Sequence, residues 1–569
     1  MKRQESNKLT LNDGSSIAVV GGGPAGSFYS YFALDFAERF GIKLNLEIIE
    51  PKNFHCAGPK GCNHCGGIVS ESLIQMLSGE GIVFPSKVIR NGIESYTLHL
   101  EQGSSVMETP FNEQKIASMF RGIGPLGIKE NGQVSFDNYL LDLCLEKGAT
   151  LVREKVTDAA RTKDGIILTM SDGSKKEYDL VVGAVGLNKK TLALFKNICP
   201  ALKEPAQTKT YISEFHLGKT LTEKYIGDSM HVFLLNVPKI KFGAIIPKGD
   251  FVTLVLLGKN IKKEDVHKFL QSDTVKKLLP SNFDLTRLSS CQCYPSINTR
   301  GAKSAYDDRV ILIGDSASSK LYKNGIGAAY TTGKAAATTS VFMGISRRDF
   351  KKYYRSVCRE LDSDNAVGKF IFWVTGIIQK SNIIKLALLN QVIEEQKKPH
   401  HKRMMSSILW DTFTGSTSYK NIFTRCLNPN VIASLISNIF RSYKSKKPKK
   451  IKMKGITLGR RYRDGEIIIK QGDVGDCLYV VQSGKVELIY DNGQGEVRIA
   501  ELGSNEFFGE MGLFERDVRS CTVRACGEAK ILTIDRRNFY KTIHKDPTLA
   551  YNLLQKMSYR IREINKKLA

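Results

Sequence analysis

The sequence predicts an α/β protein that carries a separate β-rich domain at its C-terminal end. Two strand-to-glycine turns, near residues 21 and 314, are each followed by a helix, and short strands with glycine turns begin after residue 458. At 569 residues the chain exceeds one ordinary domain. We divide it into a polar tail (1–15), an α/β region with an interleaved β-rich part (16–365), a helical basic segment (366–455) and a C-terminal domain (456–569).

The composition is that of a globular protein, with 42% hydrophobic and 25% charged residues. A net charge of +27 indicates an anionic partner, either nucleic acid or an anionic membrane surface. The N-terminus lacks the apolar core of a signal peptide, and apolar stretches such as 370–378 are too short to span a bilayer. Together with twelve cysteines, which we interpret as thiols, this predicts a cytoplasmic location.

The first glycine turn has the G-x-G-x-x-G spacing of a dinucleotide site. The strand of residues 16–21 runs directly into Gly21, Gly23 and Gly26, and a helix follows over about 27–40. Gly21 permits the tight turn, Gly23 lets the backbone approach a pyrophosphate, and Gly26 allows close helix packing. A second strand ends at Glu50, whose carboxylate is placed to bind the two ribose hydroxyls of an adenosine.

The second turn resembles the second FAD motif of the glutathione-reductase-type flavoproteins. An apolar strand ends at Gly314 and Asp315, and Gly325 and Gly327 open an Ala/Gly-rich helix. The resemblance implies that Asp315 binds the ribitol and that Gly325 and Gly327 bring backbone to the isoalloxazine. Two nucleotide motifs nearly 300 residues apart favour FAD over a free nicotinamide cofactor.

Three further segments resemble the geranylgeranyl reductases, over roughly residues 15–370. They are Cys65-Gly66-Gly67, the helix of 136–149 and the strand of 242–250 with its Pro-Lys-Gly ending. The resemblance implies hydride transfer from reduced flavin to a prenyl-lipid double bond, with Cys65 as the candidate acid beside the flavin. A small buried residue in a tight turn is an equal alternative for Cys65.

Two departures from the related flavoproteins leave other functions open. Val185 stands where hydroxylase relatives carry an aspartate, and Ser135 stands where the reductases commonly have arginine. The first departure disfavours a monooxygenase and leaves the electron donor, NAD(P)H or ferredoxin, undetermined. The alternatives are a flavin hydroxylase or other oxidoreductase on an apolar substrate, and a flavin and cyclic nucleotide sensor without turnover.

A group of cysteines offers a metal site, which we rank below ordinary thiols around a redox-active turn. The first three have C-x5-C-x2-C spacing, and the later C-x-C pair matches metal-ligand spacing poorly. We therefore predict no metal. The candidate ligands would be Cys56, Cys62, Cys65, Cys291 and Cys293.

The segment of 366–455 is predicted to be helical and basic. Helices are expected over 383–395 and 431–443, and the second has an apolar face followed by eight Lys or Arg and no acid over 441–454. An amphipathic helix beside a polybasic run fits an anionic lipid surface, against the alternative of a packed helix and a solvated linker. No helix-turn-helix, zinc-finger or RNP pattern accompanies the charge, so we predict no nucleic-acid partner.

The C-terminal domain, over about 458–569, resembles the cyclic-nucleotide-binding domains and is predicted to be a β-jelly roll. The resemblance implies that a helix from Gly509 and the hydroxyl of Ser520 bind a cyclic phosphate, that Arg519 pairs with its charge, and that Glu510 accepts from the ribose 2′-hydroxyl. The ligand is cAMP or cGMP, and a domain that has lost binding is the alternative. Helices at 537–543 and 549–567 leave no room for a DNA-binding module, so control acts on the attached flavoprotein, its membrane contact or an oligomer.

Overall fold

The computed structural model describes residues 9–535, together with residues 555, 557, 558 and 562. Excepted from this range are residues 64, 86, 94, 109–115, 126–133, 281–288, 400–401, 445–459, 474, 476, 494, 505 and 511–517. The predicted polybasic run beyond Lys444, the helix expected after Glu510 and the helix predicted at 537–543 fall outside the described residues. Of the helix predicted at 549–567, residues 555, 557, 558 and 562 are described, and these four are helical.

The strands, in chain order, are β1 Ser16–Val20, β2 Asn45–Ile49, β3 Ile68–Ser70, β4 Asn91–Ile93, β5 Ser95–Leu100, β6 Gly103–Glu108, β7 Ile116–Ser118, β8 Thr150–Val152, β9 Val156–Arg161, β10 Ile166–Met170, β11 Lys175–Tyr178, β12 Leu180–Gly183, β13 Ala206–Lys209, β14 Tyr211–His216, β15 Ser229–Phe233, β16 Ile240–Lys248, β17 Phe251–Gly258, β18 Ser289–Cys293, β19 Ser296–Arg300, β20 Tyr306–Asp307, β21 Val310–Leu312, β22 Arg460–Tyr462, β23 Ile467–Ile469, β24 Cys477–Asp491, β25 Glu496–Leu502, β26 Phe507–Phe508 and β27 Thr522–Asp535.

The helices are α1 Pro24–Phe40, α2 Glu71–Gly79, α3 Phe136–Glu146, α4 Lys189–Ile198, α5 Lys219–Tyr225, α6 Lys263–Leu270, α7 Asp273–Lys276, α8 Gly325–Thr338, α9 Arg347–Asp349, α10 Arg355–Lys380, α11 Asn382–Glu395, α12 Met404–Thr414, α13 Tyr419–Cys426 and α14 Pro429–Lys444. Within the described residues, none of these helices combines the length and apolar character required to cross a bilayer.

The elements form two compact units. The first contains residues 1–68, 95–108 and 118–453, and the second contains residues 69–94, 109–117 and 454–569. The second unit therefore includes helix α2 and strand β4 from the N-terminal part of the chain, which the sequence patterns do not indicate.

A six-stranded sheet of order β20-β21-β12-β1-β2-β8 organises the nucleotide-binding part of the first unit. Strands β21, β12, β1, β2 and β8 run parallel, and Ile17 of β1 lies opposite Leu180 of β12 and Leu46 of β2. The central strands β1, β12 and β21 are almost entirely buried runs of mainly β-branched and aliphatic residues, as expected for a parallel sheet. Their carboxyl ends place the predicted glycine turns at one edge.

A seven-stranded sheet of order β18-β14-β17-β16-β15-β5-β6 forms the second layer of the first unit. All of its neighbouring strands run antiparallel except β15 and β5. One face packs on α6 through a cluster that includes Phe233, Ile245 and Phe269. The predicted strand of 242–250 is β16, in the middle of this sheet.

The segment after residue 366 is helical in its described residues, as predicted, and comprises the end of α10 with α11 to α14. The two helices predicted at 383–395 and 431–443 are α11 and α14.

In the second unit, strands β22 to β27 form one antiparallel sheet around a core that includes Val481, Phe508 and Ile531. The predicted alternation of short strands and glycine turns is present.

Candidate functional site

Two of the three predicted glycines of the first turn, Gly21 and Gly26, occupy positions where backbone atoms leave no room for a side chain. Gly21 has φ +109°, and a Cβ there would lie 2.5 Å from the carbonyl oxygen of Ala184. A Cβ on Gly26 would collide with the carbonyl oxygen of Gly21. At Gly23 the nearest group is the side-chain nitrogen of Asn63, 3.3 Å from the Cβ position. The turn thus forms a cradle at the N-terminus of α1, where backbone N–H groups favour a phosphate.

Glu50 lies at the end of β2, beside this cradle. Its Oε2 accepts a hydrogen bond from the Gly22 N–H at 2.9 Å, and its Oε1 accepts one from the Lys52 N–H at 2.8 Å. Burial raises the pKa of this carboxyl, although the two backbone donors and the Lys52 charge oppose the shift. Each carboxylate oxygen keeps a further lone pair for a ribose hydroxyl.

The second predicted turn approaches the same helix. Gly314 has φ +60°, and a Cβ there would lie 2.7 Å from the Ala25 Cβ in α1. The next residue, Asp315, has a pKa raised by burial, against the opposing effects of a hydrogen bond with Ser319 and the charge of Arg121. The structure therefore brings the two glycine turns, at Gly21–Gly26 and at Gly314, together, as a single dinucleotide site would require.

Helix α8 begins with its N-terminal N–H groups near Asp315. Asn324 has a left-handed backbone conformation, and its side-chain oxygen accepts from the Gly327 N–H at 2.9 Å. A Cβ at Gly325 would meet only the Ser319 hydroxyl, 3.8 Å away. The backbone at Gly325 is therefore accessible to a ligand.

A buried charged network that sequence reasoning missed completes this region. The Nε of Arg121 lies 2.6 Å from Asp137 Oδ1, and Asn63 donates to Asp137 Oδ2 at 2.5 Å. Lys52 donates to the Asn63 oxygen at 3.1 Å. Ser135, where the resemblance to the reductases implies an arginine, donates to the Arg121 carbonyl at 2.8 Å. The Arg121 guanidinium itself pairs with Asp137, and no sequence motif marks Arg121.

The turn of Cys65, Gly66 and Gly67 lies on the seven-stranded sheet. A Cβ at Gly66 would lie 3.0 Å from Val255 Cγ2 of β17. A Cβ at Gly67 would collide with the Met119 carbonyl oxygen and lie 3.0 Å from Lys248 Nζ. The Gly67 N–H donates to Cys65 Sγ at 3.5 Å, so the thiol is held at the turn.

Beneath this turn the sheet carries a buried ion pair. Lys248 of β16 is fully buried and lies 2.7 Å from Glu214 of β14. Thr253 donates to the same Glu214 oxygen at 3.2 Å, and the Lys248 ammonium lies 4.9 Å from the Phe120 ring centroid. The pair and Thr253 form a small polar group on this sheet face, which also carries Val255 and Ile246.

All twelve cysteines are free thiols in the structure. Within the described part of the chain, no group of three or more His, Cys, Asp or Glu side chains is placed to hold a metal ion. The structure thus gives no support to a metal at the candidate ligands.

In the second unit, Arg519 is nearly buried, with 6% of its surface exposed. Its guanidinium donates to the carbonyl oxygens of Gly509 at 2.8 Å and Cys477 at 2.9 Å, and it lies 5.5 Å from the Tyr479 ring centroid. A Cβ on Gly475 would collide with the Arg519 side chain. The partners that the described residues offer this guanidinium are thus backbone carbonyls, and none of them is a carboxylate.

The other predicted residues of this site surround the same place. Burial raises the pKa of the Cys521 thiol, and the nearby groups that modify the shift are Ser520, Glu510 and Arg519, in that order. Gly509, with φ +77°, directly precedes Glu510. The four predicted residues, Gly509, Glu510, Arg519 and Ser520, therefore lie close to one another.

Comparison with known proteins agrees with this arrangement. Residues 459–546 match the family model for the cyclic nucleotide-binding domain. The C-terminal region is a cyclic nucleotide-binding domain. This domain is similar to the cyclic AMP receptor protein of Thermus thermophilus, with 37% identity over 110 residues, which are 19% of this chain and 51% of that protein. It is also similar to the cAMP-dependent protein kinase regulatory subunit of Schizosaccharomyces pombe, with 35% identity over 82 residues, 14% of this chain and 19% of that one.

The chain spans about half the length of the first of these relatives, so the likeness concerns the cyclic nucleotide-binding domain alone. Among solved structures, a geranylgeranyl bacteriochlorophyll reductase-like protein from Thermoplasma acidophilum is similar over 75% of this chain and 100% of its own. The TM-score is 0.52 and the sequence identity is 14%. Over that share of its length the chain has the fold of that protein, and the α/β fold class predicted from the sequence is confirmed.

Proposed function

We propose that the chain is an FAD-dependent reductase of carbon–carbon double bonds in prenyl lipids, regulated by a cyclic nucleotide. The observation that carries the proposal is the packing of Gly66, next to Cys65, against Val255 and Ile246 of the seven-stranded sheet, while Asn63 lies 3.3 Å from the Cβ position of Gly23 in the glycine turn. Aliphatic side chains beside a thiol would suit a hydrocarbon substrate. The shared fold with a geranylgeranyl reductase-like protein supports the same assignment.

The residues present fit FAD. The backbone of Gly21 to Gly26 would hold the pyrophosphate, Glu50 the adenosine ribose and Asp315 the ribitol. The open backbone at Gly325 would lie against the isoalloxazine, whereas the Asn324 side chain covers Gly327 and accepts from its N–H. The Cβ positions of Gly23 and Gly325 meet little protein within 4 Å, which is the space that such a cofactor requires.

When bound, the flavin supplies a hydride to one carbon of the alkene. The role of Cys65 is to deliver the proton from Sγ to the other carbon, because an isolated alkene has no carbonyl for the protein to polarise. Val255 and Ile246, which face the Cβ position of Gly66, exclude water from the reacting bond. The buried Lys248–Glu214 pair holds the sheet beneath the turn and so positions Cys65.

The test is the mass of the product. Chemically reduced, anaerobic holoprotein is incubated with a geranylgeranyl lipid, and each saturated double bond adds two hydrogen atoms. Addition of an oxygen atom in air would indicate a hydroxylase instead, and no change in lipid or flavin would indicate a sensor. Cys65→Ala should lower the rate of saturation with FAD still bound. The matched control is Cys56→Ala, another half-buried thiol of the same segment.

We also propose that residues 69–94 transmit the nucleotide signal. They directly follow the Cys65–Gly67 turn in the chain, yet belong to the unit that contains the cyclic nucleotide-binding domain. Within that unit, Gln75 of α2 donates to the carbonyl oxygen of Thr533 in β27 at 2.6 Å. A change in β27 on nucleotide binding would therefore move a segment covalently joined to the turn. Regulation of this kind requires that the nucleotide bind two states of the enzyme unequally.

A contact with an anionic membrane surface would give the protein access to its lipid substrate. The side chains of helix α14 favour such a contact. The helix buries Val431. Ile432, Ile436 and Phe440 form a stripe along it, and they are 42%, 47% and 70% exposed, respectively. Residues 441–454 then add eight basic residues and no acid. Exposed apolar side chains beside cationic ones match the headgroup boundary of an anionic bilayer.

Sedimentation with vesicles of phosphatidylserine and phosphatidylcholine tests this contact. Phe440→Ser should weaken vesicle binding about tenfold, because a buried phenyl ring contributes roughly 1.5–3 kcal/mol. Ser437→Ala, an exposed polar position on the same helix, is the control and should bind as the unchanged protein does. Equal sedimentation of both variants would contradict the membrane contact.

A further inference from the structure

Helix α10 has an exposed apolar stripe along its second half. Phe370, Trp373 and Ile377, which we call the α10 ridge, recur at helical spacing and are 48%, 60% and 45% exposed. The ring centroids of Phe370 and Trp373 lie 5.7 Å apart, and the Phe370 ring lies 5.7 Å from that of Phe423 in α13. Large apolar side chains that stay exposed together on a folded protein mark an interaction surface.

The opposite side of the same helix is fixed to the seven-stranded sheet. The Phe372 ring lies 6.0 Å from that of Phe242 in β16 and 4.9 Å from that of Tyr322, in the loop before α8. Gln379 is buried and donates to the carbonyl oxygen of Lys241 at 2.8 Å. The packing of α10 on the sheet therefore uses these residues and leaves the ridge exposed.

The parts of the chain that carry the ridge and the neighbouring helices are basic. Residues 365–393 contain three lysines and no acid, and residues 412–463 contain thirteen Lys or Arg and no acid. Acidic residues make up 57 of the 569 in the whole chain, so their absence from both stretches is a local feature. Lys369 and Lys380, at the two ends of the ridge, are exposed. The partner that fits this surface is apolar beneath a layer of negative charge.

We propose that the α10 ridge inserts into the headgroup boundary of an anionic lipid bilayer. Aromatic side chains are favoured at that depth, and the lysines at the ends of the ridge reach the lipid phosphates. The inference rests on the proposed membrane contact of α14 and adds a second helix to it. Helix α13 contacts both α10 and α14, so the two apolar stripes belong to one group of packed helices.

Two contacts have consequences that one does not. Linked contacts bind more tightly than either alone, and together they fix the orientation of the protein on the surface. Because Phe372 packs on Phe242 of β16, only helix α10 separates the ridge from the sheet that carries the Cys65–Gly67 turn. A prenyl chain in the bilayer therefore has one helix to pass before it meets that sheet.

Intrinsic fluorescence tests the insertion, because the chain has two tryptophans and Trp410 is buried whereas Trp373 is exposed. With vesicles of phosphatidylserine and phosphatidylcholine, the emission of the holoprotein should shift to shorter wavelength. Phosphatidylcholine brominated on its acyl chains should quench it. Trp373→Phe should still bind the vesicles, and its remaining tryptophan should show neither change. Vesicles of phosphatidylcholine alone should cause little shift, because they lack the charge that attracts the lysines.

Sedimentation with the same mixed vesicles measures what the ridge contributes to binding. Phe370→Ser should lower the vesicle affinity about tenfold, the effect expected when one aromatic ring is withdrawn from the bilayer boundary. Phe40→Ser is the matched control, because Phe40 is also an exposed phenylalanine but lies beside the exposed Glu38. This control should bind as the unchanged protein does.

An emission that does not shift when the unchanged protein sediments with vesicles would overturn the proposal, as would equal affinities of Phe370→Ser and Phe40→Ser. A shift that grows with protein concentration without lipid would place a second copy of the chain on the ridge, which also overturns it. Failure of the α14 contact gives a different result: Phe440→Ser then binds normally while the Trp373 emission still shifts. No sedimentation at all would overturn both contacts, and the mass of the lipid product decides the reductase assignment separately.

Discussion

Replacement of Arg519 by alanine tests the cyclic nucleotide site most sharply. The guanidinium is nearly buried and donates to two backbone carbonyls, without a carboxylate partner among the described residues. A cyclic phosphate would supply the missing negative charge and accept two N–H groups. Hydrogen bonds to charged groups contribute about 1.5–3 kcal/mol each, so the loss of two should cost about 3–6 kcal/mol. At about 1.4 kcal/mol per tenfold change in affinity, the dissociation constant should rise by roughly two to four orders of magnitude.

Titration calorimetry with cAMP on the full-length holoprotein measures this change. Arg519→Lys keeps the charge but loses the paired donors, so its affinity should lie between those of the unchanged protein and Arg519→Ala. Because Arg519 also bonds to Gly509 and Cys477, thermal unfolding must show that the domain remains folded. A folded Arg519→Ala protein that binds cAMP with nearly unchanged affinity would refute the assignment of the phosphate to this residue.

Three further changes follow from the structure. Asp315→Ala should weaken FAD binding about tenfold or more through a lost charged hydrogen bond, and purified protein that keeps its yellow colour would count against the cofactor assignment. Gln75→Ala should reduce the effect of cAMP on the reductase rate while the cAMP affinity stays the same, and an undiminished effect would exclude this residue from the coupling. Burial lowers the pKa of His231 from 6.5 to about 4, and His99 bonds to it at 2.8 Å. Between pH 4 and pH 6.5 the unfolded chain therefore binds more protons at His231 than the folded chain does. The free energy of unfolding should consequently fall by about 2 kcal/mol from pH 7 to pH 5. In urea unfolding, His231→Gln should make the stability less dependent on pH. The same pH profile as that of the unchanged protein would contradict the assignment of this dependence to His231.

Local steric rules made much of the nucleotide site predictable. Gly21, Gly26 and Gly314 are recognisable in the sequence because a turn or a close approach leaves no room for a Cβ there. Strand and helix patterns likewise identified β1 and α1. The strand β16 and the residues Gly509, Glu510, Arg519 and Ser520 were predicted instead from resemblance to known families, because each lies in one short segment whose spacing is recognisable.

The remaining features depend on contacts between residues far apart in the chain. Arg121 reaches Asp137 of α3, and Phe370 lies against Phe423 only because α10 packs on α13. Neither Arg121 nor Phe370 belongs to a motif, so no local pattern marks either of them. The position of α2 in the second unit is also a tertiary property, since its sequence is that of an ordinary helix.

An anaerobic absorbance titration tests the central assignment most directly. The purified chain should show the spectrum of bound oxidised flavin, lose it on reduction, and regain it when a geranylgeranyl lipid is added without oxygen. The regained absorbance should match, mole for mole, the number of double bonds saturated. A colourless protein, or a reduced flavin that no prenyl lipid reoxidises, would contradict the assignment.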